Sequence, residues 1–349
     1  MTHQDDSAGN MLRETADRLF RTHCDTATGH AAEQGTWPAA LWAAVEDAGL
    51  SRALVPEASG GFGIAPPDAL SLLEVAAAHA APIPLAETML ALRLLATAGL
   101  DLPDGPLAAA PVRHGETVTL APVAGGWHVT GTVTRVPWAR HLDHVVVLAG
   151  DRAALVGKAA WSLEHGENVA REPRDTLCLD GPVLAAAPTG TTEAELIAMG
   201  AAMRTQQIAG AITKLVAMTT QYAQDRVQFG RPLGKFQAVQ QNLAVLAGQA
   251  AAATAAAALA AEAVADTVNI LPIAAAKARA GEAAGIAAAI AHQVHGAIGF
   301  TFEHDLHRLT RRLWSWRDEY GNDASWQRLL GRHMARAGAD RLWATLTAA

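Results

Sequence analysis

The chain has 349 residues, half of them apolar, a formal net charge of -7 and two cysteines. Core material suffices for one large or two to three smaller domains, and an acidic balance without a basic block argues against nucleic acid as a main partner. Cys24 and Cys178 lie far apart without metal-ligand spacing, which excludes a disulfide scaffold or zinc site and makes both read as buried small hydrophobes. The N-terminus MTHQDDSAGN is polar and acidic, unlike a secretory signal, and the longest apolar runs are Ala-rich and broken by charge. The expectation is a cytoplasmic protein with no membrane insertion.

Residues 10–100 carry helical periodicity. MLRETADRLFRTH, PAALWAAVEDAGL and DALSLLEVAAAHA each space their apolar positions by three and four, with joints rich in Gly and Pro. Between roughly 108 and 188 the pattern changes to the short β-rich runs VTLAP, GWHVTGTVTRV, DHVVVLAG and RAALVG. After Thr191 helical periodicity returns in four long stretches near 192–226, 235–266, 271–297 and 323–346. The predicted fold is α+β, mostly α: an N-terminal helical domain (1–107), a small β domain (108–190) and a C-terminal four-helix bundle (191–349). The Ala-rich run 249–263 fits a bundle helix whose small side chains let backbones approach.

The most informative stretch is 222–243, YAQDRVQFGRPLGKFQAVQQNL, in which a helix ends in a tight turn and another begins at once. Arg226 offers a fixed fork of donors suited to a pyrophosphate, Gln228 a neutral polar contact and Phe229 a flat apolar face. Gly230 permits close backbone approach, and Pro232 stops the first helix. A second turn, Gln293-Val-His-Gly-Ala-Ile-Gly-Phe300, follows in the bundle.

The Arg-x-Gln-Phe-Gly-x-Pro-Leu turn resembles the signature of flavin-dependent acyl-CoA dehydrogenases. The second turn resembles that family's Gln-x-His-Gly-Gly-x-Gly-Phe, with Ala297 in place of the second Gly. Residues 54–64 (LVPEASGGFGI) resemble the Val-Pro-Glu-x-x-Gly-Gly segment of its N-terminal domain. The resemblance implies FAD as cofactor, reached across a subunit interface by Arg226, Gln228, Phe229, Gln293, His295, Gly296 and Gly299. It also implies an acyl-CoA substrate and electron-transfer flavoprotein as acceptor. His292, His304 and His307 lack a metal-ligand pattern and read as surface or interface residues.

Dehydrogenation of an acyl thioester needs a carboxylate to take the α proton. Where relatives supply it from a Tyr-Glu-Gly-Thr-like loop, this chain has Gly321; where a minority place it on the first bundle helix, it has Gly200. The Gly-Ser-Asp motif that cradles the flavin ring is missing, and Arg135-Val136-Pro137 stands in the place of Trp-Ile-Thr. This asymmetry resembles the short subunit of heteromeric acyl-CoA dehydrogenases of steroid degradation, which implies a full-featured sister subunit carrying the base. Two alternatives stay open: a self-sufficient homo-oligomer with a displaced carboxylate such as Asp323, with Asp318 and Glu319 also close to the vacant position, and a flavin-free structural partner.

Overall fold

The computed structural model describes residues 5–265 and 267–347. Five helices come first: α1 (Asp5–His23), α2 (Thr26–Glu33), α3 (Ala39–Asp47), α4 (Pro66–Ala78) and α5 (Leu85–Thr97). The three periodic segments fall on α1, α3 and α4. Periodicity does not disclose the other two, for opposite reasons. Helix α5 is buried on nearly every side and so has no polar stripe, whereas α2 spans eight residues and buries none of them.

The middle of the chain is two packed four-stranded sheets. Strands β1 (Ala109–Ala110), β4 (His144–Ala149), β5 (Arg152–Gly157) and β8 (Ala185–Pro188) form one, in that order. Strands β2 (Val118–Val123), β3 (Gly126–Pro137), β7 (Arg174–Pro182) and β6 (Trp161–Glu164) form the other. Val145 and Val147 of β4 face the core between the sheets, while Val146 and Leu148 join the core shared with the N-terminal helices. Burial on both faces explains why this strand reads as an unbroken apolar run. Strand β7 alternates buried and exposed residues, and Cys178 falls on its exposed face, so only Cys24 is partly buried as expected. Burial pushes the Cys24 thiol up to about 12.

The C-terminal half is led by α6 (Glu193–Asp225), whose N-terminus is closed by a Thr192–Glu195 capping box. From Leu196 to Ile212 every residue of α6 is buried, so this helix is the axis on which the rest packs. A hairpin of β9 (Val227–Gln228) and β10 (Arg231–Pro232) leads into α7 (Gln237–Glu262) and α8 (Ile270–His295). Helices α9 (Leu306–Asp318), α10 (Asp323–Ala337) and α11 (Leu342–Thr347) complete the chain.

Two sequence expectations need correction here. Helix α7 holds no charged residue before Glu262, so its apolar run is not broken by charge. Both it and the segment Ile270–Phe300 are long and apolar enough to cross a membrane, but they pack against α6 and each other as bundle helices. The predicted last stretch 323–346 is interrupted at Gly338, and a helix, α9, precedes it. Leu306, Leu309, Leu313 and Trp316 form the buried stripe of α9 at spacings of three and four. The fold is α+β and mostly helical, with the small sheet region between two helical parts.

Candidate functional site

The β sheets meet the bundle at a cavity of about 400 Å³. Its walls come from the segment after β1 (Arg113, His114), from the bulged end of β3 (Arg135, Pro137), from the β6–β7 connection (Asn168, Val169) and from residues 318–328. At its base lies a buried charge cluster centred on Glu319. Glu319 Oε1 accepts from Arg174 Nε at 2.7 Å and Asn168 Nδ2 at 3.1 Å, while Oε2 accepts from Arg204 Nε at 2.8 Å and Arg174 Nη2 at 3.1 Å. Arg204 also pairs with Glu87 on α5 and donates to Gln207, and Glu172 accepts from both Arg174 and Arg312. The cluster joins the N-terminal helices, the β region, α6 and α9, and its three arginines balance its three glutamates.

Burial alone would raise the Glu319 pKa, but Arg174 and Arg204 overcome it and hold the carboxyl at about 2. Lys277 of α8, with no exposed surface, donates from Nζ to the carbonyls of Arg317 (2.7 Å) and Gly321 (3.0 Å). It thereby fixes the loop that carries Glu319. Burial brings its pKa down to about 7, against the pull of Glu319.

The two turns singled out in the sequence lie elsewhere on the bundle. Gln228 pairs with Arg231 across the hairpin, and Phe229 (φ 52°) and Gly230 (φ 79°) form its two-residue tip. Phe229 is 92% exposed, and the exposed Arg226 and Gln228 side chains have no partner among the described residues. Gln293 and Gly296 are likewise exposed at the end of α8, whereas Gly299 is buried against Leu306 and His292. His295 lies beneath its turn. It stacks on Tyr222 at 4.4 Å and its Nδ1 bonds the Ala291 carbonyl, leaving a buried Nε2 without a partner. His292 and His307 are buried rather than surface residues: His292 lies against α9, where it pairs with Thr310 and stacks on Phe300 and Trp314, and His307, on α9 itself, bonds the His304 carbonyl and faces Glu33.

The family models for the acyl-CoA dehydrogenase N-terminal domain and C-terminal domain match residues 7–101 and 192–335. The chain belongs to the acyl-CoA dehydrogenase family. It is 31% identical over 328 residues to acyl-CoA dehydrogenase IpdE2 of Mycobacterium tuberculosis, covering 86% of this chain and 89% of that protein. Among solved structures it is similar to the Tcur3481-Tcur3483 steroid acyl-CoA dehydrogenase (TM-score 0.87, 26% identity, 96% of this chain and 99% of that one). It is also similar to the ChsE4-ChsE5 complex from Mycobacterium tuberculosis (TM-score 0.81, 25% identity, 97% and 99%).

Within an acyl-CoA dehydrogenase fold, the two positions where the sequence resemblance places a base come together in space. The Tyr320 ring fills the room that a side chain at Gly200 would need. Gly321 sits at φ 91°, and a Cβ there would press on Trp326 and Ser325. Of the nearby carboxylates, Asp318 and Glu319 line the cavity, and Glu319 has both oxygens engaged by arginine. Asp323 is absent from the cavity wall. It is the first residue of α10, faces Gly281 and accepts from the Ala324 amide, while Asn322 supplies the helix cap. The hairpin side chains fit a flavin nucleotide chemically, since they are exposed and either polar or flat. The β3 end does not offer the same fit to a flavin ring, since Arg135 stands there at φ 58° on the cavity wall.

Arg174 and Arg204 were not singled out from the sequence, and Glu319 was named only as a carboxylate near the vacant base position. The available signal was Arg204, a lone charge in the apolar run IAMGAAMRTQQIAG, which requires a buried partner.

Glu319→Gln should destabilise the protein at pH 7 by about 3–5 kcal/mol, the cost of leaving a buried partner uncompensated, measured by denaturant unfolding. Because its folded pKa lies below the unfolded value of 4.5, the Glu319 contribution is complete above pH 4.5 and is lost as pH falls towards 2. The stability gap between native chain and variant should close over that window. Gly200→Ala should cost about 1–3 kcal/mol through overpacking against Tyr320, and a paired Tyr320→Ala should recover part of it in a double-mutant cycle.

Proposed function

We propose that this chain takes part in α,β-desaturation of an acyl-CoA thioester as the base-lacking subunit of a heteromer, completing the FAD site of a full-featured sister. The observation that carries this reading is an opposition within one chain. Both base positions are closed, by Tyr320 over Gly200 and by the left-handed backbone at Gly321, whereas the Arg226–Gly230 hairpin is exposed, with its Arg226 and Gln228 side chains unengaged among the described residues. When bound, FAD supplies the hydride acceptor of such a reaction. Arg226 and Gln228 would hold its phosphates from this subunit, Phe229 would cover a flat face, and Gln293 with Gly296 would meet it from the second turn. The likeness to a steroid acyl-CoA dehydrogenase and to the ChsE4-ChsE5 complex supports a bulky acyl group and a two-gene assembly. Electron-transfer flavoprotein is the acceptor expected of this chemistry, in a soluble, cytoplasmic complex.

A self-sufficient enzyme would have to use Asp318, which lines the cavity, is exposed and, among the described residues, pairs only with Arg317 at 3.5 Å. The two readings separate on flavin content and assembly mass. The chain purified alone should be colourless or misassembled, and co-expression with its sister should restore bound flavin. A yellow homo-oligomer that is bleached by acyl-CoA would overturn the heteromer reading. In the restored complex, Arg226→Ala should weaken flavin affinity about tenfold or more, the loss of a charge-assisted hydrogen bond. Unchanged flavin content and turnover would instead assign the chain a purely structural part.

A further inference from the structure

We propose that the cavity between the β sheets and the bundle is an oxyanion-binding site, in which Arg113, Arg135 and Arg328 grip a ligand bearing a carboxylate or phosphate group. Arg113, Arg135 and Arg328, all exposed, line one cavity from three separate elements: the segment after β1, the bulge of β3 and the exposed face of α10. None of them has a hydrogen bond, ion pair or ring contact among the described residues. This contrasts with Arg174, Arg204 and Arg312 a few residues deeper, each matched to glutamate.

Charge bookkeeping on the wall favours an anion. Arg113, Arg135, Arg174 and Arg328 stand against Asp318 and Glu319, and Glu319 is already shared between Arg174 and Arg204. Asp318 is the carboxylate left on the wall, with Arg317 beside it. Gathering unpaired like charges around a concave surface raises the energy of the empty protein and focuses a positive potential into it. Guanidinium forks match carboxylate and phosphate oxygens in pairs, and Ser325 adds a hydroxyl on the same wall, where Asn168 is already engaged by Glu172 and Glu319 and His114 by Glu193.

Arg135 supplies the second, independent observation. It lies inside the register shift between Val133 and Val136, with φ 58°, a left-handed conformation that strains a non-glycine residue. A glycine would hold the same backbone without strain, so what the arginine adds is its side chain on the cavity wall. The volume of about 400 Å³ suits a small organic acid or the end of a larger ligand. The inference does not depend on how flavin is completed, because no hairpin residue takes part.

The test is isothermal titration calorimetry on the full chain, in whichever assembly carries it, with three probes: inorganic phosphate, glutarate and free coenzyme A. Saturable binding with Kd below about 1 mM is expected for at least one of them. Phosphate together with coenzyme A would identify a phosphate subsite, and glutarate alone a carboxylate subsite. Arg135→Gly combined with Arg328→Ala should lower that affinity at least tenfold, while Arg332→Ala, on the same helix but off the cavity wall, should leave it unchanged. Arg135→Gly by itself should melt no lower than the native chain, since it removes the left-handed strain. No saturable binding of any probe, or binding unaffected by the double variant, would overturn the proposal.

Discussion

The clamp of Arg174 and Arg204 on Glu319 is the constraint around which the rest of this molecule is arranged. One carboxylate receives donors from a β strand and from the central helix, and Asn168 adds a donor from a loop between strands. Each arginine then needs a further acid, which Glu172 and Glu87 provide, and Glu172 in turn draws in Arg312 from α9. A buried charge set of this kind contributes little net stability against an apolar alternative, yet loses several kcal/mol when one member is removed. It therefore acts mainly as a registration device. The helical N-terminal part, the sheets and the bundle can meet in one relative position only, the one that leaves no member unpaired.

The clamp also determines the chemistry that the cavity above it can perform. A carboxylate held at about 2 by two arginines is a feeble proton acceptor, since catalysis needs a base whose pKa lies near the working pH. The loop bearing Glu319 has little freedom to present another residue. Lys277 bonds two of its carbonyls from below, Tyr320 is wedged over Gly200, and the Trp326 indole donates to the Tyr320 carbonyl at 3.1 Å. These contacts close the positions from which a family member would deliver a glutamate, and they do so with well-packed side chains, so the closure is part of the core.

Much of the architecture was legible from the sequence because it follows from periodicity. The long helices α6, α7 and α8 and the strands β2 to β5 announce themselves by spacing, and the family turn at 226–232 lies where the spacing breaks. What escaped has a common cause. Helix α5 and the run from Leu196 to Ile212 are buried all round, so neither carries a stripe that says which neighbour it will face. The same blindness hides the charge cluster. Glu87, Glu172, Arg174, Arg204 and Glu319 are distant in sequence and become partners only once the three parts dock. His292 and His307 read as surface or interface residues because none of the predicted helical stretches included α9, which covers His292 and carries the buried His307. The candidate cofactor turns could be located by motif, but which of their side chains point outwards could not. His295 shares a turn with Gln293 and Gly296, and yet it stacks inwards on Tyr222.

The exposed hairpin is the counterpart of the clamp. Phe229 holds a left-handed backbone and leaves nearly all of its surface in water. Its ring meets Phe236 edge-on at 6.2 Å, and Phe300 and Phe302 at the second turn are exposed as well. A lone exposed aromatic is unremarkable, but a strained one flanked by an unengaged arginine and glutamine is built for contact with something outside the chain. The charged groups beneath the cavity are matched to one another, whereas the Arg226 and Gln228 side chains of the hairpin have no partner among the described residues. That division suits a subunit whose own base positions are shut and whose contribution to catalysis, on the proposed reading, is delivered across an interface.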